Sequence, residues 1–286
     1  MHGTLFLRKM NINKTIVIMT LEDIFNRLWD DYTTQNPAAK KVYDLFTSEG
    51  EIVLNDHIAF RTFDDPRIDI DVLSQVFLER GYEEKGQYEF EAKHLFAKHF
   101  EHKTDKNAPR VFISQLKTKD FSEFLQETVK STVDQISESD LNSDELIFSG
   151  NIWGKPDYNT YLKLREESEY AGWVYVYGFR ANHFTISING LKKFDTIEKV
   201  NQFLKDKNFK LNTSGGEIKG TKDELLQQSS IMANHIEVEF KDGVHSIPGC
   251  YYEFAQRYPD KDGILYSGFI AKSADKIFES TNYYKK

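Results

Sequence analysis

The sequence predicts an α+β fold of two βαβββ modules whose strands share one curved mixed sheet, with additional helices around it. Three observations predict it. A succession of strand, helix and further strands occurs twice, and each succession opens on a short polar-plus-histidine strand, Asn-Asp-His-Ile at 55–58 and Ala-Asn-His-Phe at 181–184. The chain has 286 residues, longer than the ~100–150 of a common single domain, so two fused modules fit its length. Aromatic residues make up 14%, with 22 Phe and 15 Tyr, a content that favours strands and walled cavities over coiled coils or disorder.

In chain order, residues 1–18 are expected to be a disordered extension, because Arg8, Lys9 and Lys14 interrupt their apolar residues and no signal-peptide cleavage site follows. Thr20 with Asp23 reads as a capping box. Leu21, Ile24, Phe25, Leu28, Trp29 and Tyr32 then mark one helical face. A second helix is expected at 38–47. The strand NDHIAFRTF (55–63) places His57, Ala59, Arg61 and Phe63 on one side. A helix at about 69–80, strand-like residues from 82 to 99 and a strand at 110–116 complete the first module, about 50–118. The polar stretch 119–167 is expected to be a helical connector. In the second module, about 168–258, strands are expected at 173–178, 182–188, 235–240 and 250–255, a helix at 195–206 and a turn at Gly215-Gly216. Residues 19–286 thus read as one catalytic domain.

Charge and cysteine content exclude several function classes. The net charge is −8 without a Lys/Arg run, so neither nucleic acid nor an anionic membrane is the expected partner; a small molecule is. Cys250 is the only cysteine, which excludes an intrachain disulfide framework, a cysteine-based zinc site and an iron–sulfur cluster, and fits a reducing, cytoplasmic setting.

Two histidines and one carboxylate on one side of a metal form the ligand set of mononuclear non-haem Fe(II) oxygenases. His57, His183 and Glu253 supply these types from three expected strands. The residue types leave alternatives open: a strand histidine commonly serves as a hydrogen-bonding group, Glu237 and Glu239 compete with Glu253, and a buried Glu253 needs a cationic partner that is a metal, a lysine or an arginine.

The segments NDHIAFRTF (55–63), RVFISQL (110–116), SEYAGWVYVYGFRANHFTISIN (168–189), LNTSGGEIKG (211–220) and YYEFAQRY (251–258) together resemble the 2-oxoadipate dioxygenase/decarboxylase family of the vicinal oxygen chelate superfamily. The resemblance runs from about Leu21 to Thr281. It implies paired βαβββ modules around one Fe(II) held by His57, His183 and Glu253, with Arg61 receiving a substrate carboxylate and Ser273, in the closing segment 271–278, touching substrate. It also implies that 2-oxoadipate and O2 give 2-hydroxyglutarate and CO2, a step of lysine catabolism. Metal-dependent isomerase or lyase chemistry on the same fold, and non-catalytic ligand binding, are the competing readings.

Other residues invite separate readings. His94, His99 and His102 have metal-ligand spacing but sit among charged residues, as on a solvated surface. Gly215-Gly216 lacks the spacing of a phosphate loop. Arg180 and Lys219 are further candidates for a carboxylate. Tyr170, Trp173, Tyr175 and Tyr177 either line a cavity or fill the core.

Overall fold

The computed structural model describes residues 19–281, and the extension expected over 1–18 lies outside them. The elements run α1 (Leu21–Gln35), α2 (Pro37–Ser48), β1 (Asn55–Phe63), α3 (Ile70–Leu78), β2 (Tyr82–Phe90), β3 (Leu95–His102), β4 (Arg110–Leu116), α4 (Glu123–Val133), α5 (Glu138–Leu141), α6 (Tyr158–Glu167), α7 (Glu169–Tyr177), β5 (Ala181–Ser187), α8 (Ile197–Asp206), β6 (Leu226–Ser230), β7 (His235–Phe240), β8 (Gly243–Pro248), β9 (Glu253–Arg257) and α9 (Ala271–Ile277). At the start of α1, Thr20 and Asp23 close a reciprocal capping box.

Seven strands form one mixed sheet in the order β2-β3-β4-β1-β5-β9-β6. In the first half β1 lies parallel to β4, and in the second β5 lies parallel to β9, so each half repeats a strand–helix–strands unit. The halves join where β1 pairs antiparallel with β5. The second half is reduced: its outermost strand survives only as a single bridge between Lys219 and Gln228, and β7–β8 is a separate two-stranded hairpin inserted before β9. The strand expected at 235–240 therefore exists but lies outside the main sheet.

Side-chain parity decides what each face of the sheet does. Phe60 packs on Phe77 of α3, Phe184 on Trp29 and Tyr32 of α1, and Phe254 on Phe46 of α2. This is the helix-covered face. The alternating residues His57, His183 and Glu253 point to the opposite face, where Tyr170 and Trp173 of α7, Phe269 and α9 close over them. Among the described residues, no helix is long and apolar enough to cross a membrane.

One expected strand is a helix. Residues 173–178 read as strand because Val and Tyr alternate, yet they belong to α7, capped by Ser168 and ended at Gly178. Every residue from Tyr170 to Tyr177 is buried, so packing on all sides overrides local β preference. Gly178 has φ 65°, and a Cβ there would stand 2.1 Å from the Gly150 carbonyl oxygen, so only glycine ends α7 this way. Strand β6, with the sequence Leu-Gln-Gln-Ser-Ser, gave no β signal.

Candidate metal centre

Both histidines are presented by the same local device. Where β1 pairs with β5, Asp56 is an extra residue on β1 and Asn182 an extra residue on β5. Such a bulge breaks the up-down alternation and re-aims neighbouring side chains. As a result the Asp56 carboxylate reaches His57 Nδ1 at 2.9 Å, and the Asn182 amide oxygen reaches His183 Nδ1 at 2.9 Å. Both acceptors require a proton on Nδ1, which leaves each neutral ring with a bare Nε2 lone pair.

Those lone pairs converge on Glu253. Its Oε1 is 3.6 Å from His57 Nε2 and its Oε2 is 3.2 Å from His183 Nε2. One ligand atom from each of the three side chains lies within 4.8 Å of the others, and all three residues are buried. Burial pushes His183 below its ordinary value and so keeps it neutral. Burial also opposes ionisation of Glu253, yet its carboxyl lies below the usual range provided positive charge stands on the side of His57 and His183, with Gln228 donating as well. A neutral imidazole lone pair facing a carboxylate oxygen is repulsive unless a cation lies between them. The donor set therefore fits a metal ion. Gln228 donates to Glu253 Oε1 at 2.5 Å, and the Thr185 hydroxyl sits 3.0 Å from His57 Nε2.

Behind His57 lies a buried charge network. Arg257 grips Asp56 with two hydrogen bonds of 2.7 and 2.9 Å, and Arg110 stands 3.6 Å from the same carboxylate. Burial opposes the Asp56 charge, but Arg257 and His57 reverse that and hold the carboxyl far below the usual range. Arg257 also donates to the carbonyls of Tyr266 and Gly268. This anchors Phe269, whose ring meets His57 edge-on at 4.8 Å.

Arg61, four residues along β1, is 1% exposed. Its guanidinium lies over the rings of Tyr170, Trp173 and Phe278 at 5.0, 5.2 and 5.6 Å. Nη1 donates to Glu169 at 3.3 Å, while Nε and Nη2 have no partner. These two atoms form one edge of the fork, the geometry that takes a carboxylate through two hydrogen bonds.

Sequence and fold comparisons decide the family. The model of the 2-oxoadipate dioxygenase/decarboxylase family matches residues 18–261. The chain belongs to that family. The 2-oxoadipate dioxygenase/decarboxylase, chloroplastic/amyloplastic, of Oryza sativa subsp. japonica is 36% identical over 275 residues, covering 88% of this chain and 76% of that one. The crystal structure of hydroxyglutarate synthase from Oryza sativa in complex with 2-oxoadipate is 34% identical, with a TM-score of 0.86 over 91% of each chain. A Shewanella frigidimarina protein provisionally described as a hydrolase is 47% identical, with a TM-score of 0.83 over 87% of this chain and 97% of that one. A Ralstonia eutropha protein of the glyoxalase superfamily, 17% identical with a TM-score of 0.71 over 87% and 85% of the two chains, shares the fold.

Within this family member the remaining sequence candidates separate. Ser273 is buried in α9, its Oγ 3.2 Å from where a Cβ on Gly220 would stand. Glu237 and Glu239 lie on the β7–β8 hairpin, apart from the histidines. The three clustered histidines do not converge, and one is no surface residue: His99 is 2% exposed between Tyr88 and Glu101, whereas His94 faces Asp120. Arg180 bonds the Tyr177 carbonyl beyond the end of α7. Buried Lys219 donates to the carbonyls of Asn212, Gly216 and Glu217. Tyr170 and Trp173 flank Arg61, whereas the Tyr175 hydroxyl accepts from the Asp157 amide. The sequence reading missed Asp56, Arg257, Gln228, Glu169 and Tyr251. For Asp56 a signal existed, since a polar residue precedes the histidine in both modules.

Proposed function

We propose that this protein is an Fe(II)-dependent dioxygenase/decarboxylase that converts 2-oxoadipate and O2 into 2-hydroxyglutarate and CO2. The equation balances: one oxygen molecule enters, one carbon leaves as CO2, and the shortened chain gains a hydroxyl. The observation that carries the reading is the pairing, on one face of the sheet, of a two-histidine, one-carboxylate cluster with a buried arginine whose Nε–Nη2 edge is unpartnered.

In this reading His57, His183 and Glu253 hold the iron, which when bound supplies the dioxygen chemistry. Asp56 and Asn182 fix the protonated nitrogen of each histidine and so keep both Nε2 atoms available. Arg61 takes the distal carboxylate of the acid, and its aromatic surround strengthens that ion pair by excluding water. Phe269 and Phe112, packed at 4.8 Å beside His57, keep water from the reacting end. Ser273 is assigned a further substrate contact, supported by the likeness of 271–278 to the family's closing segment.

Anaerobic loading with Fe(II), followed by simultaneous oxygen-electrode and CO2 measurement with 2-oxoadipate, tests the reading. Equal consumption of O2 and release of CO2 is expected. Iron-loaded protein that leaves both gases unchanged would overturn it, and turnover in the absence of O2 would favour isomerase, lyase or hydrolase chemistry instead.

A further inference from the structure

Two consecutive tyrosines lead into β9, and neither hydroxyl has a hydrogen-bond partner. Their surroundings differ. Tyr252 faces the helix layer, among the rings of Trp29, Tyr32 and Phe254. Tyr251 turns to the other face, where its ring stacks on His183 at 4.6 Å and 27°. Its backbone carbonyl accepts from the Tyr32 hydroxyl, and Ala233 and Ile277 pack with it, so the ring is fixed in place.

Tyr251 therefore lies against one of the two histidines of the candidate site, with Glu253 two residues further along, and its hydroxyl is buried without a partner. A tyrosine hydroxyl is a neutral donor at neutral pH, so it can offer its proton there. A hydroxyl buried without a protein partner is costly and calls for a water, an ion or a ligand; Tyr252 stands among helix-layer rings where no ligand has a place, whereas Tyr251 stands at the candidate site. On the same face of the sheet, Arg61 Nε and Nη2 are also buried and unsatisfied.

We propose that the Tyr251 hydroxyl donates a hydrogen bond to an oxygen of the bound 2-oxo acid, between the metal cluster and Arg61. This assignment rests on the functional reading above for the class of ligand, but not on turnover. It makes Tyr251 a substrate-binding residue, while Tyr252 is a core residue.

The test compares Tyr251→Phe, Tyr252→Phe and the unsubstituted chain, all loaded with Fe(II) and kept anaerobic, by calorimetric titration with 2-oxoadipate. Tyr251→Phe is expected to weaken binding by about tenfold, the worth of one hydrogen bond within a buried site. Iron affinity should stay within about twofold, because the phenol is not a ligand in this reading. The thermal midpoint of the metal-free protein should hold or rise, since an unsatisfied hydroxyl has been removed; a structural hydroxyl would move it the opposite way. Tyr252→Phe should leave binding unchanged. Unaltered 2-oxoadipate binding in Tyr251→Phe, equal weakening in both variants, or no binding by the unsubstituted chain each overturns the proposal. Tight binding without O2 consumption would instead sink the dioxygenase reading and leave this one standing.

Discussion

His57 and His183 are set in place by the same bulged strand and the same Nδ1 contact, yet what stands behind each is different. Behind His57 is a carboxylate, Asp56, clamped by Arg257 and faced by Arg110. Behind His183 is a neutral amide whose Nδ2 has no partner. A lone carboxylate would make its imidazole more basic, but Arg257 offsets much of that charge. The salt bridge instead makes His57 rigid and ties it to Phe269 through the Tyr266 and Gly268 carbonyls. The orientation of a histidine ring has thus been solved twice, once within a load of buried charge and once with a single amide.

Asp56→Ala breaks the comparison most severely. It strands the Arg257 guanidinium in the interior, so unfolding free energy should fall by about 3–5 kcal/mol in denaturant titration. Metal affinity should fall with it. Asn182→Ala isolates orientation from charge. It should lower metal affinity by about tenfold in competition with a chelator, while costing only about 1–3 kcal/mol of stability for the unsatisfied Nδ1 proton. Equal stability losses in the two variants would refute the asymmetry.

The smallest effect concerns pH and is read on the His57 side at His99, whose ring packs on Phe269. Desolvation depresses His99, so its neutral form stabilises the fold above the unfolded value of about 6.5, and that contribution is lost as pH falls through the lower folded value. Glu101 works in the same direction over a lower range. Burial opposes its ionisation, but His99, Ser267 and Arg110 bring it to about 2, so its contribution fades as pH drops from about 4.3 toward that value. His99→Gln should flatten the acid limb of stability between pH 7 and 5 in thermal scans. An unchanged limb would remove His99 from the network.

Much of this fold was legible because its signals are local. The capping box at Thr20, the apolar period of α1 and the alternation of β1 need only a few neighbouring residues. What escaped depended on distant partners. Residues 173–178 have strand-like chemistry but are enclosed on every side as a helix, and β6 forms from glutamines and serines because β9 supplies its ladder. At the site, residue types and strand positions raised His57, His183 and Glu253 as candidates among others, and the resemblance to the family's motifs singled them out and gave Arg61 its role. Residue types alone could not separate Glu253 from Glu237 and Glu239; the resemblance favoured Glu253, and the topology gives the physical reason, because β7 leaves the main sheet. No sequence window could join Asp56 to Arg257, which meet across 201 residues.

That separation also bears on how the chain acquires its site. Hydrogen bonds spanning 201 residues, and 128 residues between His57 and Thr185, give the centre a high contact order. A ribosome must release β9 before Glu253 can join the two histidines, so capture of a metal by this cluster would belong to the end of folding rather than its nucleus. Stopped-flow refolding followed by metal uptake would therefore record the docking of the two halves, with the ion serving as a reporter of completed assembly.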